Sequence, residues 1–367
     1  MWLFVFLIST DAAAYNYFKC VINDKTATFR WYDNPVDMNL YSLGDSTEWA
    51  QATREAISLW NKNPSVFRFT DDGFYKGGSL NNGSNDIYWV SRDVIVDNRD
   101  AMAVHSTICA TSQGGMTARI KEGDVLIARE ASFTTSKNRS DIINHAGGGN
   151  GKRSFQSMML HELGHVAGLA HEADEYNIMG DNGSHHGTNG SVIYPYIGED
   201  ASDAVYDLYG VSSDAFEDVS VAPWKYFGPG GEYSNHIRTD LYRADGTRIS
   251  PDLSGGFDPR VYHVGWGDYI VEFTYENSGK SSQTADVRFY LSTNRTISTA
   301  DTVVGTWNNV VQGRGNVYTA KRTITMPEVR GQYYLGVKID YNNQIAESES
   351  SRNATYIGLV DIVPPLF

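Results

Sequence analysis

The stretch HELGHVAGLAHE (161–172) holds three of the nine histidines of the chain and decides how its fold is interpreted. On an α-helix, His161 and His165 lie four positions apart and project from one face, one turn above the other. That spacing allows two imidazoles to reach a single metal ion. Glu162 is rotated away from the pair, yet close enough to contact a water molecule beside such an ion. The first half of the stretch therefore predicts a metal-binding helix.

The second half of the stretch supplies a turn and a third candidate ligand. Gly168 can adopt a left-handed conformation that ends the helix, which a residue with a side chain disfavours. After such a turn the chain can fold back and bring His171 to the same ion. Three histidine nitrogens leave a fourth position open, as in catalytic rather than structural zinc sites. A lone HExxH also occurs by chance, but the longer string fixes five positions and makes chance agreement unlikely.

Met179 lies eight positions after His171, in the segment YNIMG. A methionine in such a place is ordinarily a core residue. After three histidines in this order it is interpreted as a Met-turn beneath the metal, and the whole pattern resembles the signature of the metzincin zinc metalloproteases. The resemblance implies one catalytic zinc ion held by His161, His165 and His171, with Glu162 as the general base that activates water.

Within that clan, the catalytic region is most similar to the matrixins. The segments SNDIYWV (84–90) and EGDVLIA (122–128) resemble strands of the family's sheet, and GEDASDAVYDLYG (198–210) resembles its closing helix. The resemblance implies an α+β catalytic domain with a twisted mixed sheet, an active-site helix and this closing helix. It also implies that the strand at 123–128 is the sheet edge that pairs with an extended substrate.

Glu172 departs from the matrixin pattern, because matrixins of animals usually have serine directly after the third histidine. A glutamate at this position is more typical of astacins, in which it binds the buried N-terminus of the mature chain. One hypothesis for Glu172 is this contact with the N-terminus. The alternative is an ordinary solvated carboxylate.

The first residues of the chain resemble an export signal. An apolar run, MWLFVFLIS, precedes small residues at Ala12 and Ala14 that suit cleavage by signal peptidase. The run lacks a basic region before it and is too short to span a bilayer. The sequence therefore predicts a signal peptide over 1–14 and a secreted, extracellular protein.

The two cysteines, Cys20 and Cys109, allow two interpretations. An even number of cysteines in an exported chain favours a disulfide. In the other interpretation, Cys20 is an inhibitory thiolate on the zinc ion. Only five residues would precede Cys20 after cleavage at Ala14, which is too few for a propeptide, so the disulfide is the preferred prediction.

Composition narrows the remaining choices. A chain of 367 residues allows two or three domains, and 41% hydrophobic residues are ordinary for a folded protein. The net charge of −14 argues against nucleic acid or anionic membranes as partners and is compatible with bound calcium. We expect protein or peptide substrates, no membrane insertion and a monomer.

Segments outside the signature give further local predictions. The stretch 45–62 predicts a helix with a capping box formed by Asp45 and Glu48. Its apolar side is expected in the core: Trp49, Ala56, Ile57 and Trp60. Ser154 is a candidate N-cap of the active-site helix. Three further histidines lie in loops rich in glycine and asparagine, where surface positions are more common than metal ligation: His145, His185 and His186.

The pattern changes beyond Gly210. Residues 211–231 show no clear period and are interpreted as a linker. Alternating apolar residues then predict strands of an antiparallel sandwich. They fall into three sets: Tyr269, Val271, Phe273 and Tyr275; Val287, Phe289 and Leu291; Tyr333, Leu335, Val337 and Ile339. The segments 276–294, 325–343 and 344–353 resemble the CARDB group of bacterial immunoglobulin-like domains.

Together these patterns predict four regions along the chain: a signal peptide (1–14), a metzincin-like catalytic domain (15–210), a linker (211–231) and a CARDB-like β-sandwich (232–367). The preferred function is a secreted zinc endopeptidase that hydrolyses peptide bonds of proteins. A secreted binding or adhesion protein with a structural zincin domain is one alternative, although a purely structural site has no use for Glu162 as a base. A zinc amidase that acts on cell-wall peptides is the other.

Overall fold

Two large clusters of buried apolar side chains organise the computed structural model of the chain. One cluster draws on residues 31–205 and the other on residues 219–362. The structure describes residues 15–364 except 42, 74–77, 113, 139–140, 142–151, 173–177, 181–184, 223–239 and 256–258. The predicted signal peptide and His145 lie outside the described residues.

The first part of the chain combines a mixed sheet with α-helices. In chain order its elements are β1 (Lys19–Ile22), β2 (Lys25–Thr28), β3 (Val36–Asn39), α1 (Glu48–Trp60), β4 (Phe69–Gly73), β5 (Asn85–Val90), β6 (Ala101–Ser112), β7 (Gly115–Ala128), β8 (Phe133–Thr134), β9 (Arg153–Ser154), α2 (Phe155–Val166), β10 (His186–Asn189), β11 (Val192–Pro195) and α3 (Gly198–Tyr209). The predicted strands at 84–90 and 122–128 correspond to β5 and to part of β7. The predicted closing helix corresponds to α3, which ends before Gly210.

Five of these strands form one sheet, in the order β4-β3-β5-β7-β6. Neighbouring strands run parallel except for β6, which is antiparallel to β7. Helices α1 and α2 pack on each other, and all three helices contribute buried side chains to the same core as the sheet. The core side of α1 is as expected, since Ala56, Ile57 and Trp60 are buried and Trp49 packs against them.

The strand at 123–128 is not the edge of the sheet, so this expectation from the resemblance is wrong. Within β7, Val125 pairs with Ile87 of β5 on one side and with Ala103 of β6 on the other. The cause is the long β6–β7 hairpin, whose register runs from Ser112 opposite Gly115 back to Ala101. Strand β6 is therefore the edge strand next to β7.

The N-terminal cap of α1 also differs from its prediction. Thr47, not Asp45, is the N-cap, and its hydroxyl oxygen accepts a hydrogen bond from the Ala50 backbone N–H at 3.2 Å. Asp45 instead accepts a hydrogen bond from Arg54 at 2.9 Å. The exposed carboxylate of Asp45 lies next to the guanidinium of Arg54 on α1. Such a charged partner makes a stronger hydrogen bond than the backbone N–H that Asp45 would accept as an N-cap.

The two cysteines form a disulfide, as predicted, with their Cα atoms 5.7 Å apart. The bond joins β1 to the far half of the edge strand β6. Cys20 is therefore not a free thiolate, and the interpretation of Cys20 as an inhibitory zinc ligand is wrong.

The second part of the chain is built from strands alone among its described residues. They are β12 (Val219–Val221), β13 (Asp240–Arg243), β14 (Val261–Val264), β15 (Gly267–Asn277), β16 (Gln283–Ser292), β17 (Thr302–Gln312), β18 (Asn316–Met326), β19 (Gly331–Ile339) and β20 (Ala354–Ile362). One sheet joins β12, β13 and β18 to β15, and the other has the order β14-β20-β19-β16-β17. The alternating apolar residues of β15, β16 and β19 face one shared core, as predicted, although Tyr333 is only partly buried.

Part of the segment interpreted as a linker has regular structure. Val219–Val221 form β12, which pairs with β15 and places both valines in the second core. Residues 223–231 of the same segment lie outside the described residues. The chain thus joins the second sheet within a few residues of α3.

Polar contacts connect the two parts of the chain. Lys62, two residues after the end of α1, forms an ion pair with Glu349 at 3.0 Å. Asn189 donates a hydrogen bond to the carbonyl oxygen of Ile297 at 3.0 Å and accepts one from the Ile297 backbone N–H at 2.7 Å. These contacts fix β10 and α1 against loops of the second part.

Candidate metal centre

The helix that carries two of the candidate ligands is held firmly at its N-terminal end. Ser154 is the N-cap of α2, as predicted, and accepts a hydrogen bond from the Ser157 backbone N–H at 3.2 Å. The indole of Trp60 on α1 donates to the carbonyl oxygen of Leu160 at 2.9 Å. Since α2 is buried along almost its whole length, its side chains have little freedom to reorient.

Gly168 ends α2 in the way the sequence predicts. Its φ is +100°, in the left-handed region, and a Cβ atom there would lie 3.0 Å from the carbonyl oxygen of Phe29. The Gly168 N–H donates to the carbonyl oxygen of His165 at 2.8 Å, and the Leu169 N–H donates to that of Gly164 at 3.0 Å. This pair of bonds is a Schellman motif, which closes the helix and turns the chain back.

The three histidines of the signature meet at one point. The Nε2 atom of His161 lies 3.1 Å from Nε2 of His165 and 3.1 Å from Nε2 of His171. Two of these rings also contact a backbone carbonyl on their opposite side. Nδ1 of His161 lies 2.6 Å from the carbonyl oxygen of Ile178, and Nδ1 of His165 lies 2.8 Å from that of Leu169. A carbonyl oxygen can only accept, so both Nδ1 atoms carry the proton and donate it.

This arrangement fits a metal ion. With Nδ1 protonated, the Nε2 atoms of His161 and His165 present lone pairs to each other and cannot form a hydrogen bond in the neutral state. Burial and the neighbouring histidines lower the pKa of His165, which favours that neutral state. Two nitrogens bound to zinc at about 2.05 Å in a tetrahedral site lie about 3.3 Å apart, close to the separations found here. A carbonyl acceptor behind a ligating histidine is the usual supporting contact.

Glu162 follows His161 directly, and its carboxyl group has a hydrogen bond with the backbone and one oxygen without a partner among the described residues. Burial raises the pKa of its carboxyl group to about 8, while a hydrogen bond with the Ala103 backbone on β6 acts in the opposite direction. Its Oε2 atom is buried and has no hydrogen-bond partner among the described residues. A carboxylate with this pKa and one oxygen without a partner can exchange a proton with a bound water or substrate.

Met179 packs directly under the helix that carries the ligands. It is 2% exposed, and a Cβ atom on Gly164 would overlap its sulfur atom. Gly164 lies between His161 and His165 on α2. Ile178 directly precedes Met179 in the chain, and its carbonyl oxygen orients the His161 ring. Met179 thus packs against the segment of α2 that carries His161 and His165, at the position where the metzincin resemblance predicts a Met-turn.

Glu172 is buried, and its backbone N–H donates to the carbonyl oxygen of Met179 at 3.0 Å. The first described residues of the chain run beside the same turn. Ala170 N–H donates to the carbonyl oxygen of Asn16 at 2.8 Å, and the Asn16 side chain donates to that of His171 at 3.4 Å. The contact of Glu172 with the N-terminus stays a prediction.

The sequence interpretation missed three buried histidines. His105 on β6 lies behind the cluster, with Nε2 at 2.9 Å from the carbonyl oxygen of His165, and burial lowers its pKa to about 4. His185 and His186, expected at the surface, are 1% and 5% exposed. Nothing in their local sequence signals this burial, because their neighbours in space come from α2, α3 and β15.

The binding of calcium, with which the net charge is compatible, stays a prediction.

Comparisons with known proteins cover only a fraction of the chain. No family model matches it, and no curated protein matches it. About a third of the chain matches solved CARDB domains. That of a Pyrococcus furiosus protein, in complex with di-metal ions, is 18% identical over 35% of this chain and 90% of that chain, with a TM-score of 0.23. A solution structure of the same CARDB domain is 19% identical over 35% and 97%, with a TM-score of 0.23.

A third matching structure is a domain of a Methanosarcina acetivorans protein whose description provisionally assigns it to the cell surface. It is 21% identical over 26% of this chain and 75% of that chain, with a TM-score of 0.21. Matches at this level carry no argument about activity. Among the described residues, no helix is both long and apolar enough to cross a membrane.

Proposed function

We propose that the chain is an exported zinc-dependent endopeptidase of the metzincin type, most similar to the matrixins. The observation that carries this proposal is the meeting of three histidine Nε2 atoms while the Nδ1 atoms of His161 and His165 donate to carbonyl oxygens. With both Nδ1 atoms protonated, the Nε2 lone pairs of His161 and His165 face each other and cannot form a hydrogen bond, whereas both can bind a metal ion.

His161, His165 and His171 would hold the ion through their Nε2 atoms. When bound, Zn²⁺ would supply Lewis acidity, which polarises a peptide carbonyl and lowers the pKa of water, so that its oxygen becomes a better nucleophile. The carbonyl oxygens of Ile178 and Leu169 keep the His161 and His165 rings in the tautomer that a metal requires.

Glu162 acts as the general base. Its Oε2 atom accepts a proton from the attacking water and then delivers that proton to the leaving amine. The Ala103 backbone contact keeps the carboxylate in place while the proton moves.

Strand β6 is the natural binding edge for an extended peptide. It ends the five-stranded sheet, and its Ala103 and His105 residues contact Glu162 and His165. A substrate that adds a strand to β6 would be held by backbone hydrogen bonds, which place a peptide bond beside the histidines and tolerate many side chains. This assigns to β6 the role that the sequence interpretation gave to residues 123–128.

Hydrolysis of casein and gelatin by the purified protein tests the proposal. We expect cleavage that stops with a zinc chelator and returns when Zn²⁺ is restored. Absence of cleavage with zinc bound would instead favour a binding protein with a structural zinc site. Cleavage of cell-wall stem peptides without cleavage of casein or gelatin would favour the amidase.

A further inference from the structure

A second group of metal-ligating side chains lies where the two parts of the chain meet. It consists of His185, just before β10, Glu199 in the first turn of α3, and Glu276 near the end of β15. Their ligand atoms all lie within 4.8 Å of one another. His185 Nε2 is 3.3 Å from Glu276 Oε2 and 3.8 Å from Glu199 Oε2. The three residues are 1%, 0% and 2% exposed, in the order His185, Glu276, Glu199.

The surrounding contacts hold each side chain with one ligand atom directed at the others. Glu276 uses Oε1 to accept hydrogen bonds from Tyr196 and from Ser220, the latter at 2.9 Å, and presents Oε2 to His185. The His185 ring lies between the Tyr196 ring, 4.1 Å away between centroids, and Gly198, where a Cβ atom would overlap the imidazole. Such confinement fixes the position of the imidazole.

Glu199 provides an independent indication of a ligand. Its Oε2 atom is fully buried, points at His185, and accepts no hydrogen bond within the part of the chain that the structure describes. A buried carboxylate oxygen without a hydrogen-bond partner destabilises the folded chain unless a cation or a proton compensates its charge. The position of Glu199 therefore calls for a cation, or a proton shared with Glu276, beside its carboxylate.

The charges of His185, Glu199 and Glu276 indicate which kind of cation fits between them. Two carboxylates lie together, and the buried guanidinium of Arg352, which interacts electrostatically with Glu276, is already bound to Asp218. A divalent cation neutralises both carboxylates at once. An imidazole ligand disfavours Ca²⁺ and Mg²⁺, whereas one nitrogen and two carboxylate oxygens suit Zn²⁺.

We propose that His185, Glu199 and Glu276 bind a second divalent transition-metal ion, with Zn²⁺ as the best match, which joins the two parts of the chain. Ligand atoms around tetrahedral zinc lie about 3.3 Å apart, which matches the separation of His185 Nε2 and Glu276 Oε2. The site is enclosed, so its role is structural. Two ligands come from the first part of the chain and one from β15, so the ion links α3 to the second sheet. This proposal does not depend on the peptidase activity.

Metal content measured by mass spectrometry tests the proposal. The full chain is produced in zinc-supplemented medium and desalted without chelator, because an enclosed site exchanges slowly. We expect two zinc ions per chain in the unaltered protein, one in Glu199→Gln, one in His161→Ala and none in the double variant. Glu349→Gln, which alters an interface carboxylate outside the group, should keep both ions.

The possible results separate the two metal sites. One ion per unaltered chain that persists in Glu199→Gln would overturn the second site and show that Glu199 and Glu276 share a proton instead. Two ions that both survive Glu199→Gln would overturn it as well. One ion that is lost in Glu199→Gln but kept in His161→Ala would support the second site and contradict the proposed function.

A second variant covers the case in which Glu199→Gln fails to fold. Gly198→Ala keeps all three ligands but places a Cβ atom in the space of the His185 ring. We expect this variant to lose one zinc ion of two. Retention of both ions in folded Gly198→Ala protein would contradict the assigned position of the metal.

Discussion

His165 Nδ1 lies 2.8 Å from the carbonyl oxygen of Leu169, so the turn that ends α2 also orients one of its candidate metal ligands. Leu169 in turn donates its N–H to the carbonyl oxygen of Gly164, one residue before His165. The two bonds make the helix end and the histidine ring a single rigid unit. Helix termination, ligand orientation and delivery of His171 therefore depend on the same few residues.

Replacing Gly168 by alanine should damage this unit. The new Cβ atom would have to occupy a backbone with φ of +100° and approach the Phe29 carbonyl oxygen to 3.0 Å. We expect the free energy of unfolding to fall by about 1–2 kcal/mol and zinc affinity to weaken by about tenfold or more, because His171 is displaced. Competition with a chromophoric chelator measures the affinity.

Gly210→Ala is the matched control for that change. Gly210 has a φ of +84° but no atom of the described residues within 4 Å of its added Cβ, and it ends α3 rather than α2. Its substitution should lower stability through backbone strain and leave zinc affinity unchanged. Equal zinc affinities in Gly168→Ala and the unaltered protein would contradict the role given to the turn.

Arg352 should be essential to the stability of the second part of the chain, and it also contacts Tyr196 of the first part. Its guanidinium pairs with buried Asp218 and lies 3.9 Å from the centre of the Tyr196 ring. Arg352→Met leaves the carboxylate of Asp218 buried without its partner, so we expect a loss of about 3–5 kcal/mol in unfolding free energy. Adding Asp218→Asn to the same chain should recover part of this loss.

Urea denaturation measures both effects. The control is Arg54→Met, which breaks half-exposed pairs with Asp45 and Asp71 and should cost less than about 1 kcal/mol. Similar losses for the two arginine variants would contradict the stabilising role given to the buried pair of Arg352 and Asp218.

Glu347 should make stability depend on pH. Burial raises the pKa of its carboxyl group from 4.5 to about 8, against hydrogen bonds from the Val219 N–H and from Asn353. The protonated form is therefore favoured in the folded chain, so its contribution is complete below pH 4.5 and is lost as the pH rises to about 8. Glu347→Gln cannot ionise and should be more stable than the unaltered protein at pH 8, by about 1 kcal/mol or more.

Thermal unfolding at pH 5 and pH 8 checks this sign. Glu349→Gln should behave in the opposite way. Burial raises the pKa of Glu349, but the hydrogen bonds from Ser351 and Lys62 outweigh it and bring the pKa to about 2. Its contribution is present above about pH 4.5, so this variant should be less stable at pH 8. A gain at pH 8 in both variants would contradict the assigned pKa directions.

The sequence predicts those features that depend on residues close together in the chain. The ligand histidines lie within one helix and its terminal turn, and Ser154 and Gly168 mark the helix ends by their own chemistry. The strands of the second part follow from simple alternation, as in Tyr269 to Tyr275. In each case the deciding physics is local backbone preference and side-chain period.

Features that depend on distant segments could not be read in this way. The edge position of β6 follows from the length of the β6–β7 hairpin, which the sequence does not state. His185 lies against Glu276, which belongs to β15 in the second part of the chain, and this contact between distant segments contributes to its burial. The cap at Thr47 rather than Asp45 depends on the position of the Arg54 side chain.

The most direct test of the central claim measures zinc content and casein hydrolysis together in Glu162→Gln. Glu162 is the carboxylate beside the histidines whose Oε2 atom has no hydrogen-bond partner among the described residues, and glutamine cannot take up a proton there. Exposed Glu328→Gln serves as a control and should match the unaltered protein. We predict that Glu162→Gln keeps its zinc while hydrolysis falls by about a thousandfold or more. Zinc-loaded Glu162→Gln protein with activity within about tenfold of the unaltered chain would contradict the assignment of Glu162 as the base.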